Sequence, residues 1–219
     1  MTSPNNYLMS EPEPIIGKST NSSQIITNEI NDENSMLDIW FDRSQTQALI
    51  VQRQGKIVYE RYDEDVKQGL NVNGMSMAKS VIAILIGIAI DDELINSEKD
   101  PISIYLPELT SSKYNRVEIR DLLRHTSGIQ SSNRDLQDTL NNKLLNLSTR
   151  DLLFSDDKSF SYDNMNYHLL MLILQRLYQK PINEIIEAKV WQSLRLEDAS
   201  MVTSSGYCCL FATAKSWLA

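Results

Sequence analysis

A serine and a lysine stand one helical turn apart at the head of an apolar segment. Ser76 and Lys79 open the stretch GMSMAKSVIAILIGIAI, in which every residue after Ser80 is apolar or glycine. A serine hydroxyl is a weak nucleophile and needs a base. Residues three apart share one helix face, and burial would disfavour the charged form of the lysine, so Lys79 could take a proton from Ser76. At a helix start, the Ser76 hydroxyl and backbone N–H would also suit an attacking oxygen and a developing oxyanion.

The same pair has a purely structural interpretation. Ser76 would then only cap the helix, and the Lys79 side chain would run along the apolar surface to reach water. The apolar helix behind the pair favours the chemical interpretation without deciding between the two.

A phenol and a carboxamide lie two residues apart before a second helical pattern. Tyr162 and Asn164 precede NYHLLMLILQRLYQK. In an extended loop, residues i and i+2 point the same way, so both side chains would face one cleft. Beside Lys79, the phenol would be held partly as phenolate and would act first as a base and later as an acid. Asn164 would donate near Lys79 or to a substrate amide. The alternative for this pair is a helix-capping turn.

The two histidines offer a competing arrangement, a Ser-His-Asp hydrolase. His125 lies in RHTSG at a predicted helix end, where a structural histidine is more typical. His168 falls on the helix that follows Asn164, where it would flank the core. Ser127 does not stand in the Gly-x-Ser-x-Gly pattern of a nucleophile elbow. The histidines are far apart in the sequence and no Gly-rich phosphate loop is present, so we expect neither a metal nor a cofactor.

Composition limits the classes of partner. The 219 residues carry 21 Lys and Arg against 29 Asp and Glu, a net charge of −8, which argues against nucleic acid and anionic membranes. The longest apolar run, residues 81–90, has ten residues, whereas a bilayer needs about 20. The sequence shows no secretory signal, so we expect a cytoplasmic protein. The adjacent Cys208 and Cys209 are interpreted as small buried apolar side chains. The oligomeric state stays open.

The elements that must position these residues begin with a hairpin. Residues 47–62, QALIVQRQGKIVYERY, contain two β-rich runs around the turn signal Gln54-Gly55. Two strands alone are not a stable sheet, so the hairpin either packs on helices or pairs with strands beyond this chain. The later half is predicted to be mostly helical, with a short strand at most near its end. Residues 1–35 are predicted to form a flexible extension to a domain of residues 36–219.

Taken jointly, five stretches resemble the serine β-lactamase and penicillin-binding protein superfamily. They are Ser76-Met77-Ala78-Lys79, Tyr162-Asp163-Asn164, ALIVQRQGKIVYERY, IRDLLRHTSGI and GYCCLFATAKSW. Their order and spacing are most similar to the branch of class C β-lactamases, D-alanyl-D-alanine carboxypeptidases and esterases. The resemblance covers residues 46–219 and implies an α+β fold of the β-lactamase/transpeptidase type.

The resemblance also implies an acyl-transfer site. Ser76 would attack an amide, lactam or ester carbonyl, while Lys79 and Tyr162 shuttle the proton. Asn164 would orient Lys79 and the amide side chain of the substrate, and the Ser76 backbone N–H would supply half of an oxyanion hole. The partner implied is a small-molecule or peptide acyl substrate.

The sequence departs from the family pattern in its later part. The third family motif, Lys- or His-x-Gly on a sheet strand, has no counterpart after Tyr162. The expected fold is therefore incomplete: an N-terminal β-hairpin and a mostly helical region, with the later sheet strands missing. Losing one oxyanion donor costs about 3 kcal/mol of transition-state stabilisation. Two functions stay open: a serine hydrolase with an acyl-enzyme on Ser76, or a catalytically impaired truncated remnant or binding module.

Overall fold

The computed structural model describes residues 13–15, 32–64, 69–109, 113–131, 153–154, 158–197, 199–201 and 210–219. Cys208, Cys209 and most of residues 1–35 lie outside these ranges, so what we inferred for them stays a prediction. The α-helices of the described residues are α1 Asp32–Arg43, α2 Ala78–Asp91, α3 Ile119–Leu123, α4 Asn164–Tyr178, α5 Ile182–Ile186, α6 Gln192–Leu194 and α7 Ala214–Leu218. A π-helical turn, Glu187–Trp191, joins α5 to α6.

Short strands and turns link these helices. The strands are β1 Glu13–Ile15, β2 Ala48–Arg53, β3 Lys56–Tyr62, β4 Val72–Asn73, β5 Ile129–Gln130, β6 Leu153–Phe154, β7 Ala199–Met201 and β8 Leu210–Ala212. The 3₁₀ turns are Met75–Met77, Ile102–Ile104, Pro107–Leu109 and Lys113–Arg116. Among the described residues, β2 pairs with β3, β5 pairs with β6, and a sheet of four strands has the order β1-β7-β8-β4.

The predicted hairpin forms at the predicted turn. Gln54 and Gly55 have φ angles of 51° and 75°, the left-handed values that a two-residue hairpin loop of type I′ requires. The antiparallel pairing between β2 and β3 runs from Ala48–Tyr62 at the open end to Arg53–Lys56 at the turn.

The hairpin packs on helices, which was one of the two arrangements that the sequence left open. Arg61 of β3 lies with its guanidinium 4.6 Å from the ring centroid of Phe41 on α1, and it forms a 3.0 Å salt bridge with Asp38. At the other end of the chain, α7 packs against β2, and Lys215 forms a 3.0 Å salt bridge with Glu60. These helices cover part of the surface that a two-stranded sheet would leave open.

The core lies between α2 and α4. Residues 165–174 of α4 are all buried, as expected for a helix surrounded by other elements. Apolar residues of α2 face the same core: Val81, Ile82, Leu85, Ile86 and Ala89. The helix ends at Asp91, where the acidic residues Asp92 and Glu93 follow. Lys189 binds Asp92 there at 2.6 Å and offsets part of the unfavourable charge at the helix C-terminus.

Two elements fall within or across the predicted flexible extension. The strand β1, Glu13–Ile15, pairs with β7, and α1 begins at Asp32, so the proposed boundary at residue 35 lies inside a helix. β1 is three residues long and takes its conformation from its pairing partner, which explains why no local sequence pattern predicts it.

Candidate active site

The candidate nucleophile Ser76 lies between a strand and the apolar helix. The strand β4 pairs with β8, and the Gly74 N–H continues this pairing by donating to the Leu210 carbonyl at 2.9 Å. The 3₁₀ turn Met75–Met77 then leads directly into α2. Ser76 therefore sits at the start of the helix, and a strand from the end of the chain holds the segment that precedes it.

The backbone around Ser76 is held tightly. Met75 has a φ of 46°, a left-handed conformation that is uncommon for a residue with a side chain, and its N–H donates to Asn73 Oδ1 at 2.9 Å. Gly74 packs against the indole of Trp217 so closely that a Cβ at this position would lie 1.9 Å from the ring. The glycine is required here by close approach, because no side chain fits between the turn and α7.

Three of the predicted site residues come together at the Ser76 hydroxyl. Lys79 Nζ donates to Ser76 Oγ at 3.1 Å, and Tyr162 OH donates to the same oxygen at 2.9 Å. Lys79 Nζ also lies 5.0 Å from the ring centroid of Tyr162. The Lys79 side chain is only 5% exposed, so its ammonium group is held inside the site rather than reaching out to water. The Tyr162 oxygen, once ionised, is placed to take the Ser76 proton.

The electrostatics of this cluster favour ionisation of the phenol. Burial by itself raises the pKa of Tyr162, but the hydrogen bonds with Lys79 and Ser76 and the positive charge of Lys79 lower it, and the net pKa lies below the ordinary value. Burial, and after it the same positive charge, lowers the pKa of His168 to about 3. His168 is thus a neutral side chain inside the helical core.

The loop that carries Tyr162 is anchored by a helix cap. Asp163 precedes α4, and its carboxylate accepts a hydrogen bond from the Met165 N–H at 2.8 Å. The carboxylate also accepts from Ser131, at 2.6 Å from the backbone N–H and 2.7 Å from the hydroxyl. The capping turn that we weighed as an alternative therefore exists, and it is compatible with Tyr162 facing Ser76.

Asn164 is the first residue of α4 and is half-buried. The structure places it two residues from Tyr162, at the same end of α4. Its predicted contribution, orienting Lys79 or a substrate amide, stays a prediction.

A buried polar cluster lies behind Tyr162. His125, Ser127 and Asn166 are 7%, 5% and 0% exposed. Ser127 Oγ donates to Asn166 Oδ1 at 2.5 Å, and Asn166 Nδ2 lies 3.2 Å from His125 Nδ1. The His125 ring stacks on the Tyr162 ring, with centroids 4.5 Å apart. From the sequence, His125 is more typical of a structural histidine than of a triad member, and Ser127 lacks the nucleophile-elbow pattern. Asn166, a polar residue in an apolar helix, is not identified from the sequence.

These contacts do not form a Ser-His-Asp triad. The Ser127 hydroxyl donates to an amide oxygen, and His125 Nδ1 accepts from the backbone N–H of Asp163 at 3.3 Å rather than facing a carboxylate. Within the described ranges, no group of three or more His, Cys, Asp and Glu side chains is placed to hold a metal ion. None of the described helices is both long and apolar enough to cross a membrane.

Comparisons with known proteins identify the family to which this chain belongs. The sequence matches the protein-family model described as Beta-lactamase over residues 42–205, about three quarters of the chain. No curated protein matches it. Among solved structures, a Bacteroides dorei DSM 17855 protein described as a β-lactamase has a TM-score of 0.71 at 20% identity, covering 84% of this chain and 60% of its own.

Two further solved structures are similar. A Bacillus anthracis protein described as a 6-aminohexanoate-dimer hydrolase has a TM-score of 0.68 at 20% identity, covering 82% of this chain and 54% of its own. A class C β-lactamase from Rhodobacter sphaeroides has a TM-score of 0.64 at 16% identity, covering 84% of this chain and 62% of its own. At these identities the likeness shows the fold, and it confirms the β-lactamase/transpeptidase-like fold predicted from the sequence. The chain spans between 54% and 62% of the length of these three structures, which agrees with the expected incomplete fold.

Proposed function

We propose that this chain, which belongs to the β-lactamase family, is a serine hydrolase. It would open an amide, lactam or ester bond through an acyl-enzyme on Ser76. The observation that carries this proposal is the convergence of two polar groups, the Lys79 nitrogen and the Tyr162 phenol, on one hydroxyl. Lys79 Nζ and Tyr162 OH lie 3.1 and 2.9 Å from Ser76 Oγ. Hydrogen-bond reach between nucleophile and base is the geometry that activates a serine.

Acylation would begin with transfer of the Ser76 proton to the Tyr162 phenolate, which the positive charge of Lys79 favours. As the proton leaves, Oγ forms a bond to the substrate carbonyl carbon, and the carbonyl electron pair moves onto its oxygen. The Ser76 backbone N–H would stabilise that oxyanion. When the intermediate collapses, the bond from carbon to the leaving nitrogen or oxygen breaks, and the leaving group takes the proton back through Tyr162.

Deacylation would run through the same groups in reverse roles. The Tyr162 phenolate takes a proton from water while the water oxygen attacks the acyl ester, and it gives that proton to Ser76 Oγ as the acid product leaves. General base catalysis of this kind contributes roughly 10²–10⁴-fold in rate. Asn164 is proposed to orient Lys79 and to bind the amide of the acyl group, from its position beside Tyr162.

Covalent labelling tests the proposal directly. The purified chain would be incubated with a fluorescent penicillin and, separately, with a fluorophosphonate probe, and the labelled peptide would be identified by mass spectrometry. We expect modification at Ser76 and its loss in Ser76→Ala. Ser80→Ala is the matched control, because Ser80 is an exposed serine one turn further along α2, and it should label like the wild type. Labelling that survives Ser76→Ala would remove Ser76 from the mechanism.

A second function has its own supporting observation. The chain spans only part of the length of the similar solved structures, so it could bind acyl ligands without turning them over. Calorimetric binding of a penicillin without any covalent adduct at Ser76 would favour this binding module over the hydrolase.

A further inference from the structure

His125 makes three contacts around a single residue, Tyr162. Its backbone carbonyl accepts a hydrogen bond from the N–H of Ser161, the residue before Tyr162, at 2.8 Å. Its Nδ1 accepts from the N–H of Asp163, the residue after Tyr162, at 3.3 Å. Its imidazole stacks on the phenol ring, with centroids 4.5 Å apart and planes inclined by 23°. His125 thus holds the Tyr162 ring and the backbone on both sides of it, through its imidazole and its backbone carbonyl.

Tyr162 needs such support because little else surrounds it. The residue is 53% exposed and belongs to the irregular segment before α4. An exposed phenol on a loop has rotamers that point away from Ser76, and each turn away breaks the 2.9 Å hydrogen bond that the proposed chemistry uses. Stacking restricts the ring plane and so restricts the position of the hydroxyl.

The orientation of His125 is itself determined by a buried amide. Asn166 Oδ1 accepts from the Ser127 hydroxyl at 2.5 Å, which leaves the Nδ2 group to face the other way. Nδ2 carries two hydrogens, and it donates one to the Asp163 carbonyl at 3.0 Å and the other to His125 Nδ1 at 3.2 Å. An amide nitrogen only donates, so Nδ1 must be the unprotonated nitrogen, and the neutral ring carries its proton on Nε2.

The surroundings also keep the ring neutral. Burial, and after it the positive charge of Lys79, lower the pKa of His125, whereas the contact with Asp163 acts in the opposite direction. Tyr167 packs on the ring at a centroid distance of 5.2 Å. A protonated Nδ1 could not accept the hydrogen bonds from Asp163 and Asn166. The hydrogen bonds to Nδ1 therefore favour the same neutral imidazole that its surroundings favour.

We propose that His125 is a positioning residue for Tyr162, oriented by Ser127 and Asn166, and that it sets the rate at which Ser76 is acylated without touching the substrate. This inference rests on the proposed function of Ser76, Lys79 and Tyr162. It differs from a triad, because His125 transfers no proton and acts only through the position of the phenol.

The first test measures the acylation rate. We expect His125→Ala to slow labelling of Ser76 by roughly 10- to 100-fold, the scale on which a misplacement of about 1 Å acts. His125→Phe keeps a ring to stack on Tyr162 but removes the acceptor nitrogen, and it should recover part of the rate. Ser103→Ala is the control for the loss of a buried hydrogen bond elsewhere, since Ser103 donates to Asn115 at 2.9 Å. That variant should label at the wild-type rate.

The second test does not depend on activity. Near-ultraviolet difference spectroscopy follows ionisation of the tyrosines, and Tyr162→Phe identifies the contribution of Tyr162. In His125→Ala, we expect the Tyr162 pKa to move up toward the ordinary value of about 10, because the phenol leaves the neighbourhood of Lys79. A histidine with only a structural role would lower the melting temperature and leave this titration unchanged.

The two tests separate the two proposals. A folded His125→Ala variant with wild-type labelling and an unshifted Tyr162 titration would overturn the positioning role. If the wild type is never labelled at Ser76 but the titration shifts in His125→Ala, the proposed hydrolase and the effect on acylation fail, and only the positioning of the Tyr162 phenol by His125 stands. If His125→Ala does not fold, Ser127→Ala applies the same two measurements, because it frees the Asn166 amide that orients the ring. An unchanged rate and titration there would count against the proposal.

Discussion

The contact between Gly74 and Trp217 offers a sharp test of how the Ser76 turn is held. A Cβ at position 74 would lie 1.9 Å from Cζ2, 2.4 Å from Cη2 and 2.6 Å from Cε2 of the indole. Favourable carbon contacts lie at about 3.5–4.0 Å, so the ring or the turn must move by more than about 1 Å. We therefore expect Gly74→Ala to lower the free energy of unfolding by about 1–3 kcal/mol, the usual cost of overpacking. Urea denaturation followed by tryptophan fluorescence measures this.

The same substitution should slow the chemistry, because Ser76 lies two residues further on. A displacement of about 1 Å in a reacting group costs on the order of 100-fold, so labelling of Ser76 in the folded variant should fall by about that factor. Trp217→Leu makes room for the new methyl group. In the double variant, we expect a coupling of about 0.5–3 kcal/mol between the two positions, measured as a departure from additive stabilities.

A matched control lies on α2. A Cβ at Gly87 would meet no atom within 4 Å, and the residue is exposed within the helix. Gly87→Ala should therefore raise the free energy of unfolding by about 0.5–1 kcal/mol and leave labelling unchanged. If Gly74→Ala were as stable as the wild type and labelled at the same rate, or if its effect added simply to that of Trp217→Leu, the close contact would not be what holds the turn.

Further expectations concern charge. Because the pKa of Tyr162 is lowered, labelling of Ser76 should rise with pH through a midpoint below the ordinary tyrosine value, as a stopped assay over a pH series would show. Lys79→Met should move that midpoint upward and slow labelling by roughly 100-fold or more, since the charge that favours phenolate is gone; an unmoved midpoint would contradict this. The hydrogen bonds from Arg176 hold the pKa of Glu108 below its ordinary value, so their stabilisation is present above the unfolded pKa and is lost as pH falls through the folded one. Arg176→Ala should cost about 0.5–1 kcal/mol in urea unfolding at neutral pH and almost nothing at acidic pH; equal costs at both would refute the assignment.

Local patterns predicted the parts of the fold that depend on neighbours in sequence. The pair Ser76 and Lys79 is three residues apart, and helix geometry alone brings such residues onto one face. Gln54 and Gly55 lie in a two-residue loop whose φ angles the sequence signal anticipates. In each case the interaction that decides the structure acts within a few residues.

Long-range contacts were harder to predict. Tyr162 reaches Ser76 across 86 residues, and only the family resemblance linked the two. Asn166 gave no signal, because its partners come from a loop about 40 residues away. The strands β1, β7 and β8 have three residues each, too few to show a period of two, and pairing across the sheet decides their conformation.

The indole under the Ser76 turn has a consequence for the order in which the molecule folds. Trp217 Nε1 donates to the Val72 carbonyl at 3.5 Å across 145 residues, so closing this contact carries a large loop-closure entropy. The hairpin and α2 depend on nearby residues and can form first, whereas the turn that carries the hydroxyl takes its final shape only when the last helix docks. In a refolding experiment, helical circular dichroism should therefore recover before reactivity at residue 76 does.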